Sequence, residues 1–275
     1  MYSGPGKEDG QEQCCCGNRG CIPGGAVDIR RVTDRLDELQ ARGDTDGAAR
    51  LLAYWLNEAR AVSDKVGELR IENEFAGFCR KEGREAEALA HAGRALELVE
   101  ICGVGGTSLE GTTCINAATV YTAFGQAGKA MPLFEQAKAV YERELPPDDG
   151  RLGGLYNNMG LCAGKCGRYE EAEACFNAAL RVMRLTENGE AEEAITWLNI
   201  ADLIHARTGE ECAEDEKIEA SVRICECVEK AWTLLNTPTL PKDAYYRYVC
   251  EKCAPVFGFY GYFDLERQCG ERAAR

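Results

Sequence analysis

The chain has 275 residues, 45% hydrophobic and 28% charged, the balance of a soluble folded protein. Acidic residues outnumber basic ones 46 to 32, for a net charge of −14, which argues against nucleic-acid phosphates and anionic membrane surfaces as partners. No apolar run approaches the roughly 20 residues that span a bilayer. The first residues, MYSGPGKEDGQEQ, lack the basic start and apolar core of a signal peptide, so a cytoplasmic chain is expected. The 16 cysteines fall mostly inside helical patterns, where reduced thiols pack as small hydrophobes.

Residues 1–25 carry scattered glycines, Cys14-Cys15-Cys16 and Cys21 without periodicity. They read as a flexible Cys/Gly-rich tail. The four thiols could hold a soft metal, although three consecutive cysteines fit tetrahedral chelation poorly. Helix is expected from about Asp28, with Ile29, Val32, Leu36 and Leu39 on one stripe. After Gly43 a second helix buries Leu51, Leu52, Trp55, Leu56 and Ala59, capped by Asp44, Thr45 or Asp46. Residues 26–65 therefore form an atypical first helix pair.

Four further pairs follow over residues 66–235. The second spans about Val66 to Lys81 and Glu85 to Cys102, and the third runs to Leu145 before Pro146-Pro147. The fourth occupies the stretch around Leu155–Leu180, and the fifth starts after Gly189 and returns from about Ala213 to Leu235. Their turn glycines, Gly83, Gly125, Gly167 and Gly209, are 42 residues apart. A constant step of this size marks a helical repeat array. Residues 236–275 form a last pair with Asp243 as its cap, dense in aromatics from Tyr245 to Phe263. This segment reads as a cap over the last apolar face, or as a docking patch for a partner or a second copy.

Tyr156, Met159, Gly160, Ala172, Phe176 and Ala179 in the fourth pair, and Ala118, Tyr121, Ala130, Phe134 and Ala137 in the third, resemble the tetratricopeptide pattern. The second pair matches through Ala76, Ala88 and Ala95; in the fifth, Trp197 and Ala201 fit only with one extra residue before Gly209. The 42-residue step and the LYNNMG wording resemble repeats of the kinesin-light-chain type. That resemblance implies an all-α, right-handed superhelical solenoid, here of about six antiparallel helix pairs, whose first helices line a concave groove. In that family, and in Gram-positive intracellular pheromone sensors of related fold, asparagines on the first helix grip the backbone of a bound peptide.

The corresponding asparagines here are Asn116, Asn158 and Asn199, with Asn73 displaced by one residue in the second pair. An amide side chain offers donors and an acceptor, so it can pair with both polar groups of an extended backbone. The same residues could equally bond to the neighbouring repeat's helix. Other groove positions in this register are Arg80, Thr112, Thr119, Thr122, Asn157, Leu161, Lys165, Leu198, Asp202 and His205.

No zinc-protease, nucleophile-elbow or phosphate-loop motif occurs, and the two histidines lie in different repeats, with His91 read as a solvated surface group. Cys250 and Cys253 stand one helical turn apart, a spacing open to a redox pair or half a metal site, but in an all-helical context. The expected protein is a non-catalytic peptide- or protein-binding adaptor without cofactor or metal. An assembly module pairing through the aromatic cap is the alternative.

Overall fold

The computed structural model describes residues 27–209 and 211–274. The expectations for the N-terminal tail and its Cys14–Cys16 and Cys21 cluster lie outside the described residues. Twelve α-helices fill the described residues in chain order: α1 (Ile29–Ala41), α2 (Thr45–Ala61), α3 (Lys65–Lys81), α4 (Glu85–Cys102), α5 (Ser108–Ala123) and α6 (Ala127–Glu144). Then come α7 (Gly150–Lys165), α8 (Tyr169–Met183), α9 (Glu190–Arg207), α10 (Glu214–Leu235), α11 (Ala244–Phe259) and α12 (Phe263–Ala273). None is long and apolar enough to cross a membrane.

The helix starts follow capping chemistry. Asp28, Asp44, Asp64, Asp149 and Asp243 each accept a backbone N–H of the first turn, satisfying donors that have no partner within the helix. The ends at Gly83, Gly125 and Gly167 share one device. Each glycine has φ near +70°, and the next residue's N–H returns to a carbonyl of the last turn, as Arg168 does to Ala163 at 2.9 Å. Gly209 lacks the positive φ, because α9 ends at Arg207 and a longer loop leads to α10. The extra residue that the fifth repeat carries in sequence is absorbed there.

The chain divides into two compact units between Val140 and Tyr141. In the first, α1 packs on α2 and α3 on α4, and the odd-numbered helices α1, α3 and α5 lie side by side. The core gathers Val32, Leu36, Leu52, Leu56, Ile71, Phe78 and Val120. Two carboxylates are buried with it. Glu68 meets Arg60, Lys65 and Arg94, and Glu72 meets Arg60 and His91, so these charges clamp α2, α3 and α4 together. His91, read from the sequence as solvated, instead stacks on Phe75 at 4.1 Å with Nδ1 2.6 Å from Glu72. Its helix turns that face toward α3 rather than to water.

In the second unit α7 pairs with α8, α9 with α10 and α11 with α12, and α7, α9 and α11 again lie side by side. Small residues set the spacing. A Cβ on Gly160 would lie 2.6 Å from the ring of Phe176, which is 1% exposed, so glycine alone lets α7 and α8 close over that ring. Most of the C-terminal aromatics serve packing. Phe257 and Tyr246 are buried with Val228, Leu235 and Val249, and Trp232, Tyr245 and Tyr262 pack around them. Phe259 and Phe263 remain 64% and 70% exposed.

Candidate functional site

The row of first helices in each unit carries the residues singled out in sequence. In the first unit Asn73 is buried and donates from Nδ2 to Thr113 Oγ1 at 2.9 Å, joining α3 to α5. Asn116 is 8% exposed, and its Oδ1 is buried without a hydrogen-bond partner among the described residues. Thr119 is half-buried and returns its hydroxyl to Ile115 O at 2.7 Å. Thr112 and Thr122 bond back to their own helix in the same way, and Arg80 is half-buried on α3. Threonine hydroxyls spent on the preceding turn are poor ligand groups.

In the second unit Asn157, Asn158 and Asn199 are all half-buried. Asn199 Nδ2 donates to Asn157 Oδ1 at 3.0 Å, across 42 residues of chain. The bond thus couples Asn199 to Asn157, while Asn158 makes no side-chain hydrogen bond among the described residues. Leu161 and Lys165 are exposed one and two turns further along α7. Leu198, expected among the groove positions, is 2% exposed and packs in the core. Its side chain packs with Val228 and Ala231 of α10 and Val249 of α11 instead of facing the groove.

Asp202 and His205 continue the exposed face of α9. They border an open recess of about 390 Å³ completed by Pro255, Val256 and Phe259 of α11. Tyr260 donates its hydroxyl to Asp202 Oδ1 at 2.8 Å. The His205 ring stands edge-on to Phe259 at 5.2 Å and to Tyr260 at 6.1 Å, and Phe259 stands edge-on to Tyr260 at 5.0 Å. Although the Asp202 side chain reaches solvent, crowding of its carboxylate raises its pKa, against the lowering effects of Tyr260 and His205. Glu192 stands on the same face of α9, seven residues before Asn199, and desolvation pushes its carboxyl up to about 7. Sequence reasoning placed Phe259 and Tyr260 in the aromatic cap but not beside Asp202, and it missed Glu192, whose seven-residue spacing from Asn199 was the signal for it.

The thiols assemble differently from the Cys250/Cys253 pairing considered from sequence. Both are buried on α11, but the thiol that hydrogen-bonds Cys250 is Cys269 of α12. That contact, with Tyr246 and the nearby Arg272 and Lys242, pulls Cys250 down to about 7, whereas burial raises Cys253. Among the described residues no group of three or more Cys, His, Asp or Glu is arranged to hold a metal.

Two tetratricopeptide-repeat family profiles match the chain, over residues 111–149 and 152–211. The chain contains tetratricopeptide repeats. Its fold is similar to that of solved repeat structures. BtubC (BKLC) from P. vanneervenii is 18% identical with a TM-score of 0.62, over 75% of this chain and 79% of that one. A kinesin light chain of Podosopora anserina with nearly identical TPR-like repeats is 14% identical with a TM-score of 0.50, over 75% of this chain and 93% of that one. No curated protein matches. At such identities the likeness is one of fold, and tetratricopeptide repeats as a class are protein-binding modules that typically carry no catalysis.

Proposed function

We propose that this protein is a non-catalytic adaptor that binds an extended peptide segment along the first helices of its second unit. The bridged amides of Asn157 and Asn199 carry the reading. An amide–amide hydrogen bond uses one donor of one side chain and the acceptor of the other. What remains at the half-buried pair is the Asn157 NH₂ with the C=O and second N–H of Asn199. That is the complement of one residue's backbone carbonyl and N–H. Asn158 adds a third amide beside them with no partner among the described residues. The inter-repeat bond and the grip on a ligand are therefore compatible uses of the same side chains. Within the second unit, Leu161, Lys165, Asp202 and His205 are the further contact positions of this reading.

Random ten-residue peptides displayed on phage and selected on the full chain supply ligands for the test. Enriched peptides are titrated by fluorescence anisotropy against the wild type and Asn158→Ala, whose stability should be unchanged. Loss of one charge-neutral hydrogen bond predicts affinity weakened about fivefold, at roughly 1 kcal/mol. Selection of no peptide, or equal affinity for Asn158→Ala and a combined Asn157→Ala/Asn158→Ala/Asn199→Ala variant that still folds, would sink the reading. Self-association through the cap is the second reading, supported by the exposure of Phe263. Light scattering that reports a monomer across a dilution series removes it.

A further inference from the structure

We infer that the recess between α9 and α11 receives an alkyl-linked cation, the side chain of an arginine or lysine in the bound peptide. The inference rests on the peptide-binding reading and adds the class of side chain.

Three observations converge on it. First, Asp202 presents a carboxylate at the recess that accepts from the Tyr260 hydroxyl and has no Lys or Arg ion-pair partner among the described residues. Two other carboxylates of this unit do have such partners: Glu193 has Arg184 at 2.8 Å and Asp149 has Arg151 at 2.7 Å. The Tyr260 hydroxyl engages Oδ1 and leaves the second oxygen available to a donor from the ligand.

Second, the walls suit the stem of a long cationic side chain rather than a compact ion. Pro255 and Val256 are aliphatic, and Phe259 is 64% exposed at the rim although its neighbour Phe257 is fully buried. The edge-on packing of His205, Phe259 and Tyr260 holds the rings in place. A guanidinium or ammonium passing over the Phe259 face toward Asp202 gains both the ring quadrupole and the carboxylate, the arrangement in which arginine is favoured.

Third, the sign is consistent with the surroundings. The whole chain carries a charge of −14. An anionic side chain brought to this recess would meet Asp202 directly, whereas a cation is drawn to it by the field of the whole chain.

The probe is a fluorescein-labelled Gly-Ala peptide with one central arginine, with its citrulline twin, which has the same shape and no charge. Both are titrated by anisotropy against the full chain as wild type, Asp202→Asn, Phe259→Ala and Glu214→Gln. Glu214 is an exposed acid on α10 and controls for net charge. Wild type should prefer arginine over citrulline by about tenfold or more, from one charge-assisted hydrogen bond and the ring contact. Asp202→Asn, which keeps an acceptor for Tyr260, should bring the two peptides to parity. Phe259→Ala should reduce the preference severalfold, and Glu214→Gln should leave it unchanged. Equal binding of the two peptides by wild type, no detectable binding of the arginine peptide, or a preference that survives Asp202→Asn overturns the inference. An Asn157→Ala/Asn199→Ala variant separates it from the reading beneath. If that variant binds both peptides as wild type does, the backbone grip fails while the cation site stands; if it weakens both equally, the two hold together.

Discussion

Asn199 donates to Asn157 at 3.0 Å, and the two residues are one 42-residue repeat apart. The bond ties α9 to α7 side by side and at the same time orients two amides on one face. Replacing Asn199 with Ala should cost about 1 kcal/mol, the net worth of a hydrogen bond between neutral partners. Replacing Asn158, which makes no such bond, should leave the urea midpoint within error of wild type. Chemical denaturation of both variants checks the contrast, and equal losses would show that Asn158 has a structural partner after all.

Gly160→Ala should destabilise the second unit. The added methyl would stand 2.6 Å from the Phe176 ring, which is fully buried and has nowhere to retreat. Overpacking of this kind costs about 1–3 kcal/mol. Combining it with Phe176→Leu should recover part of the loss, and a thermal melt of the single and double variants reads both.

The pH dependence of stability should carry the mark of Glu192. Its carboxyl sits at about 7 in the fold against an ordinary value of 4.5, so the folded state holds a proton that the unfolded state releases. Its contribution therefore weakens as pH rises through 4.5 to 7 and is level above that, a change of at most about 3 kcal/mol. Glu192→Gln should flatten this slope and raise the urea midpoint at pH 8 while changing little at pH 4.5. A midpoint at pH 8 no higher than wild type would contradict the assignment.

Glu68 should behave in the opposite sense. Its carboxyl is desolvated, yet Lys65, Arg60 and Arg94 together hold it below the ordinary value. The stabilisation is present above pH 4.5 and is lost as pH falls through the depressed folded value. Glu68→Gln should cost about 1–3 kcal/mol at pH 7, and the deficit should shrink in acid. Urea titrations at pH 7 and pH 3.5 compare the two chains.

The helices were legible because their determinants are local. Caps at Asp28, Asp44, Asp149 and Asp243, breaks at Gly83, Gly125 and Gly167, and the Ala and Gly pairs of each hairpin all act within a few residues of where they stand. A period of 42 then repeats the same local solution, so the order and type of element follow from the chain itself. The candidate positions on α7 and α9 were legible for the same reason, as a register counted from the turn.

What only the tertiary structure decided is which residues meet across that register. One extra residue before Gly209 was visible in sequence, but not that Leu198 is buried or that Asn199 pairs with Asn157. His91 reads as a surface group until α3 brings Glu72 and Phe75 against it, and Cys250 reads as a partner of Cys253 until α12 brings Cys269. The recess at Asp202 needs Phe259 and Tyr260, more than 50 residues downstream, to be folded onto α9. Local propensity and periodicity fix a helix and the face it presents; the partner of that face is set by packing between elements distant in the chain, and a polar side chain acquires its role from that partner.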